Sequence, residues 1–120
     1  MGEPFSLVAR LRSFGYAFHG IAVLLREQHN ARIHLLATVL VIGAGWFFGV
    51  SREEWLALLL MIALVWVAEG LNSALEYLCD AAVPEQNELI GKAKDVAAGA
   101  VLISALVALC VAALVFIPYL

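Results

Sequence analysis

Apolar residues recur along positions 5–27 at alternating spacings of four and three. They are Leu7, Leu11, Phe14, Phe18, Ile21 and Leu25. This spacing places all six side chains on one stripe of an α-helix, whereas Arg12, His19 and Arg26 lie away from that stripe. The pattern predicts an amphipathic helix over 5–27 that lies in a membrane interface, with its apolar side in the acyl boundary.

Three later segments are apolar on all sides and are candidates for membrane-spanning helices. The first, 34–50, is bounded by charged residues and ends beside Trp46 and Trp55, which suit an interfacial belt. The second, 55–79, begins with 14 uncharged residues but has a polar last third, and the third, 96–118, contains no charge at all. The polar residues 80–95 between them are predicted to form a connection.

The composition agrees with a protein of the bilayer. The chain has 120 residues, of which 64% are hydrophobic and 14% are charged, whereas an ordinary soluble domain is about 25% charged. A single membrane domain over 1–120 is therefore expected, with Cys79 and Cys110 as core thiols. A formal charge of -3 removes the electrostatic basis for binding nucleic acid.

The distribution of positive charge predicts the orientation of the three spans. If the N-terminus is cytosolic, six of the seven Lys and Arg residues lie on the cytosolic side, and Arg52 is the exception. The N-terminal helix, the polar end of the second span and the connection that follows it then meet at the cytosolic face.

The polar residues of the second span are the strongest candidates for chemistry. Glu69, Asn72, Ser73, Glu76 and Asp80 have spacings that place them on one side of a helix. Glu69 and Glu76 are about 10 Å apart along the helix axis, so they do not form one touching pair. A carboxyl group within a span is costly, and such groups usually face a protein interior or a watery cavity.

Lys92, Lys94 and Asp95 precede the third span and can approach this acidic side from the neighbouring helix. Carboxylates beside ammonium groups can hold Mg²⁺ and polyphosphate, and a carboxylate shielded from water can accept a proton from an alcohol. The sequence contains no GxxxxGK[ST] motif, so a nucleotide site would have another design. The residues alone indicate an acidic site within the membrane that is catalytic or transporting.

Three hypotheses follow from this pattern. The first is a kinase acting on a lipid alcohol. The second is a proton-coupled transporter that uses Glu69 as a switch. The third is a non-catalytic assembly subunit in which Glu69 only pairs with Lys94.

Two long motifs give a family resemblance. The run AEGLNSALE at 68–76, followed by Asp80 and by ELIGKAKDVAAGAVL at 88–102, is similar to the small prokaryotic diacylglycerol kinase and undecaprenol kinase family. Gly15-Tyr16 and the run NARIHL at 30–35 extend the resemblance over nearly the whole chain. The resemblance implies a homotrimer in the bacterial inner membrane that transfers the γ-phosphate of ATP to a lipid alcohol with Mg²⁺, at sites between subunits.

The resemblance also implies residue roles. Glu69 is similar to the general base for the lipid hydroxyl, and Glu76 to an Mg²⁺ ligand. Residues similar to those that hold the nucleotide and metal are Tyr16, Asn72, Asp80, Lys94 and Asp95. The family has another metal-ligating glutamate four residues before the position of Arg32, where this chain has Gln28. Either the adjacent Glu27 substitutes through a local shift, or Gln28 offers its carbonyl oxygen.

The acceptor lipid is the finer question. Segments 13–18, 33–38 and 95–100 are more similar to the undecaprenol kinase branch than to the diacylglycerol branch. The resemblance therefore favours undecaprenol, with diacylglycerol as the alternative.

Overall fold

The computed structural model describes residues 2–120, which fold into four α-helices and a 3-10 turn. The elements are α1 (Leu7–Glu27), α2 (His29–Phe48), α3 (Arg52–Ala82), α4 (Glu88–Phe116) and the 3-10 turn (Ile117–Tyr119). By length and composition, α2, α3 and the continuous segment Glu88–Tyr119 can each cross a membrane. The chain is therefore all-helical, with the three candidate spans that its apolar pattern predicts.

A break at Gln28 separates α1 from α2. Gln28 has an extended backbone, with φ -105° and ψ 116°. The Arg32 side chain bridges the break: its Nε donates to the Leu25 carbonyl at 3.0 Å, and its Nη2 donates to the Arg26 carbonyl. Because the last carbonyls of a helix have no partner within the helix, Arg32 caps α1 while belonging to α2.

Local capping sets the other helix ends, and it corrects several predicted boundaries. Ser6 accepts a hydrogen bond from the Ala9 backbone and starts α1 at Leu7, two residues later than predicted. The first span was predicted to reach residue 50, but Gly49 ends α2 in a left-handed conformation with φ 62°. A capping box between Ser51 and Glu54 starts α3 at Arg52.

The predicted connection over 80–95 is wrong in extent. α3 continues to Ala82 and α4 begins at Glu88, so only residues 83–87 separate the two helices. Asn87 caps α4 by accepting hydrogen bonds from the backbone N–H groups of Leu89 and Ile90, at 2.9 and 3.2 Å. Of the charged residues that follow, Glu88, Lys92 and Asp95 are exposed and Lys94 is partly buried, all on the first turns of a helix.

The apolar core is concentrated around α3, which packs most extensively against α4. Its buried members are Val50, Leu58, Met61 and Val115. In the apolar stretch of α3, 33% of the residues are buried, whereas only 11% are buried in the corresponding stretches of α2 and of Glu88–Tyr119. Cys79 is buried as predicted, but Cys110 is exposed, because it lies on a face of α4 that this chain does not cover.

Gly45 on α2 lies directly under the ring of Trp55, and its replacement is expected to destabilise the fold. A Cβ atom at Gly45 would lie 2.5 Å from Cη2 of Trp55, and the Trp55 ring also contacts Trp46, with centroids 5.7 Å apart. We expect Gly45→Ala to lower the free energy of unfolding in detergent by about 1 to 3 kcal/mol, the usual cost of overpacking.

Gly43→Ala is the matched control for this prediction. Gly43 lies on the same helix, and no other part of the described chain comes within 4 Å of a Cβ built there. Gly43→Ala is expected to be neutral or stabilising, because alanine favours helix more than glycine does. Equal unfolding free energies for the two variants would contradict the assigned packing of Trp55.

Candidate functional site

Glu69 is enclosed inside the helical bundle, near the middle of α3. Its exposed fraction is 1%, and Asn72 and Ser73 on the next turn are also buried, at 8% and 2%. Further along α3, Glu76 is half-buried and Asp80 is exposed. The polar side of α3 therefore extends from Glu69, which is shielded from solvent, to Asp80, which is exposed near the end of the helix.

His34 of α2 lies against Glu69 and was not among the predicted site residues. Its Nε2 atom is 3.5 Å from Oε2 of Glu69, and the exposed fractions of the two side chains are 15% and 1%. This separation is longer than a hydrogen bond. Four enclosed polar atoms here have no hydrogen-bond partner among residues 2–120: His34 Nε2, Glu69 Oε2, Asn72 Oδ1 and Ser73 Oγ. Such atoms are rare in folded proteins, and they are typical of sites with a catalytic role or with a bound water or ion.

Thr38 and Trp66 fix the helices at this level. The Trp66 Nε1 donates to Thr38 Oγ1 at 2.9 Å, and Thr38 Oγ1 donates to the His34 carbonyl at 2.7 Å. The Trp66 and His34 rings meet edge to face, with centroids 6.3 Å apart. α2 and α3 are thereby held together one turn away from Glu69.

Tyr77 joins the α1–α2 junction to α3 and was also missed. Its hydroxyl donates to Glu27 Oε1 at 2.9 Å and accepts a hydrogen bond from Gln28 Nε2 at 3.0 Å. Glu27 and Gln28, the two candidates for the metal ligand near the N-terminus, therefore both contact α3. Since Tyr77 follows Glu76 in the sequence, the side-chain oxygens of Glu27 and Gln28 lie near the acidic end of α3.

Lys94 pairs with Asp80 across the short turn between α3 and α4, as the spacing allowed. Nζ of Lys94 lies 2.5 Å from Oδ1 of Asp80. The pair borders a polar cavity of about 560 Å³ formed with the connection between the helices. Lys92 instead contacts Glu88 at 3.7 Å on the exposed side of α4.

Two predicted nucleotide-binding residues are not joined to these groups within one chain. Tyr16 on α1 is 75% exposed, and Asp95 is exposed on α4. Within the described range, no three His, Cys, Asp or Glu side chains converge in a way that could hold a metal ion. A single chain thus presents its carboxylates as separate groups along α3 and at the α1–α2 junction.

An apolar groove of about 810 Å³ lies between α1, α2 and α3. Its walls include Leu24 of α1, Leu35 of α2 and Gly70 of α3, and Ser73 and Tyr77 add polar atoms to a lining that is otherwise mostly apolar. Ser73 is one helical turn from Glu69. The groove is suited to an apolar chain whose polar end reaches the acidic side of α3.

Comparisons with known proteins identify relatives. Residues 15–116 match the family described as prokaryotic diacylglycerol kinase. An undecaprenol kinase of Bacillus subtilis is 33% identical, over 89% of this chain and 87% of that protein. A diacylglycerol kinase of Synechocystis is 39% identical over 90% of this chain, which spans only 62% of that protein's length. A diacylglycerol kinase of Escherichia coli is 31% identical over 82% of this chain and 80% of that protein.

Proposed function

The chain belongs to the prokaryotic diacylglycerol kinase family and is a lipid kinase, and we propose that it transfers the γ-phosphate of ATP to undecaprenol. The observation that carries this proposal is the arrangement of α3, which holds the enclosed Glu69 near its middle and, near its end, Asp80 paired with Lys94 of α4. Glu69 suits proton transfer from an alcohol, and the ammonium group of Lys94 suits a phosphate group.

The choice of undecaprenol rests on the sequence and the groove together. Three segments resemble the undecaprenol kinase branch, and the Bacillus subtilis undecaprenol kinase is matched over 87% of its length. The groove between α1, α2 and α3 would hold the first isoprene units, with the hydroxyl directed towards Glu69. Diacylglycerol is the alternative acceptor, since the names of two other relatives include it.

In the proposed reaction, the lipid hydroxyl attacks the γ-phosphorus of ATP. Its proton passes to the Glu69 carboxylate as the new phosphorus–oxygen bond forms. The bond from the γ-phosphorus to the bridging oxygen breaks, and ADP leaves with the electron pair. Lys94 stabilises the negative charge on the phosphate oxygens by exchanging Asp80 for ATP as its partner. Asn72, whose Oδ1 is enclosed without a partner among the described residues, helps to orient the reacting groups.

The donor groups fit Mg²⁺ in kind. Mg²⁺ prefers oxygen ligands and is commonly held by one or two carboxylates together with substrate phosphates, so it does not need a cage of three side chains. Glu76 and Glu27 would supply the carboxylates, with Gln28 as the alternative donor beside Glu27. The ion would neutralise negative charge on the phosphates of ATP.

We place this chemistry at the cytosolic interface of the bacterial inner membrane, with α1 lying in that interface and the N-terminus cytosolic. The excess of Lys and Arg on the predicted cytosolic side supports this orientation. A homotrimer is part of the proposal, because α2 and α4 leave most of their apolar surface uncovered by the chain itself. A neighbouring subunit would also bring exposed groups such as Tyr16 and Asp95 towards the site.

Family membership favours the kinase over the two other hypotheses. A proton-coupled transporter requires substrate-dependent proton flux without consumption of ATP. An assembly subunit requires Glu69 to pair with Lys94, but Glu69 lies beside His34 and Lys94 lies beside Asp80.

The test is a side-by-side phosphorylation assay in mixed micelles with γ-labelled ATP, Mg²⁺ and either undecaprenol or diacylglycerol. We expect undecaprenyl phosphate to form with the higher kcat/KM. A preference for diacylglycerol would assign the alternative acceptor, and failure to phosphorylate either lipid would overturn the proposed function.

Tyr77→Phe is expected to raise the Mg²⁺ concentration needed for half-maximal activity about tenfold, because loss of a residue that orients a metal ligand typically costs 10- to 100-fold in metal affinity. The substitution removes both hydrogen bonds, to Glu27 and from Gln28, and keeps the ring. If Glu27 is the ligand, Glu27→Ala weakens the Mg²⁺ response far more than Gln28→Ala does. Titration of kinase activity with Mg²⁺ measures this response for all three variants, Tyr77→Phe, Glu27→Ala and Gln28→Ala.

Tyr119→Phe is the matched control, because the Tyr119 hydroxyl contacts Glu54 at the other end of α3. Its Mg²⁺ response is expected to equal that of the wild type. A larger loss for Gln28→Ala than for Glu27→Ala would show that the amide occupies the ligand position.

A further inference from the structure

His34 and Glu69 form an enclosed pair between α2 and α3 whose facing atoms have no other partner in the described part of the chain. We propose that His34 is a positioning residue for the phosphoryl transfer. It donates its Nε2–H to Glu69 Oε2 and so holds the other carboxylate oxygen towards the lipid hydroxyl. The proposal rests on the proposed function, in which Glu69 accepts the proton.

The geometry of the pair suits this role. The atoms are 3.5 Å apart, which exceeds a hydrogen bond by about half an ångström. Catalytic hydrogen bonds are often long before the substrate binds and shorten in its presence. Oε2 faces His34 and is enclosed without a partner among residues 2–120. With Oε2 held by His34, Oε1 is the oxygen that would receive the hydroxyl proton.

The surroundings of His34 hold its helix and flank its ring. Thr38 donates to the His34 carbonyl and accepts from Trp66, and the Trp66 ring lies edge-on to the imidazole. From 3.5 Å, a small closing movement brings Nε2 within hydrogen-bond distance of Oε2. A neutral imidazole can carry its proton on Nε2, and a hydrogen bond from it stabilises the carboxylate in a dry site.

The proton balance of the step involves only the alcohol and Glu69. The hydroxyl proton moves to Oε1 while the hydroxyl oxygen bonds to the γ-phosphorus and ADP departs. His34 keeps its Nε2 proton throughout and donates the same hydrogen bond before and after the transfer. Its contribution is to the orientation of Glu69, so its loss affects kcat more than the binding of either substrate.

The test compares His34→Met with His34→Gln in the lipid kinase assay. Methionine fills a similar volume without a donor, whereas the glutamine amide places an N–H near the position of Nε2. We expect His34→Met to lower kcat about 10- to 100-fold, the size of the loss of a hydrogen bond to a charged group. The KM values for ATP and lipid should stay within about twofold, and His34→Gln should recover most of kcat.

His19→Met is the matched control, since His19 is exposed on α1, and its kcat is expected to equal that of the wild type. A spectroscopic measurement adds an independent reading: Glu69→Gln should shift the ¹⁵N resonance of His34 Nε2 and leave that of His19 unchanged. Wild-type kcat for His34→Met, or an equal loss for His34→Met and His34→Gln, would overturn the inference. The proposed function survives those outcomes if wild-type protein still phosphorylates lipid and Glu69→Gln does not.

Discussion

Replacement of Glu69 by glutamine is expected to lower the rate of lipid phosphorylation by about 10²- to 10⁴-fold, the usual contribution of a general base. Glutamine has nearly the same size and shape, so the packing around this enclosed position is preserved. The amide cannot accept a proton from the lipid hydroxyl. Binding of ATP should persist, because the Asp80–Lys94 pair lies near the other end of the polar side of α3.

The measurement is single-turnover phosphorylation of undecaprenol together with calorimetric titration of MgATP. Glu53→Gln is the matched control, since Glu53 is exposed in the first turn of the same helix. Its activity should equal that of the wild type. Full activity of Glu69→Gln would remove Glu69 from the role of base.

Lys94→Met should produce the second large effect, a loss of about 100-fold in kcat/KM for ATP, within the range expected for lost hydrogen bonds to a charged group. Lys94 is the cation that faces the polar cavity at the turn between α3 and α4, where it contacts Asp80 at 2.5 Å. Methionine keeps the length of the side chain and removes its charge. The phosphates of ATP would then have no ammonium group from α4 to neutralise them in this cavity.

Lys92→Met provides a close comparison, because Lys92 is two residues away and pairs with Glu88 on the exposed side of the helix. Surface pairs of this kind contribute little, so this variant should behave as the wild type does. Steady-state kinetics over a range of ATP concentrations measure both variants. Similar losses for the two lysines would indicate a general effect of positive charge rather than a specific contact of Lys94.

The sequence predicted the helical elements better than their ends. The apolar segments are long enough to identify three spans without knowledge of packing. The ends depend on single hydrogen bonds, such as the Asn87 cap that starts α4 at Glu88 and the capping box that starts α3 at Arg52. The polar residues after 87 were predicted to form a connection because they are charged. The Asn87 cap that starts a helix there could not be identified from the sequence pattern.

The spacing along one helix predicted which polar residues of α3 share a side, whereas, apart from the approach of Lys94 to Asp80, contacts between helices were missed. The spacing along α3 placed Glu69 and Asn72 on one side, and both are buried there. His34 and Tyr77 were missed, because their partners lie 35 and 50 residues away in the sequence. A histidine at the start of an otherwise uncharged span is an unusual feature, and it was the available signal for His34.

The turn between α2 and α3 has a consequence for insertion into the membrane. In the proposed orientation, this turn must cross the whole bilayer while α2 and α3 enter as a hairpin. Gly49 bonds back to the last turn of α2, and the Ser51–Glu54 box satisfies the backbone amides of Ser51 and Glu54. Fewer backbone groups in the leading turn are then left without partners in hydrocarbon, where each would cost several kcal/mol. The same caps that end the helices therefore lower the barrier to translocation of Arg52 and its neighbours.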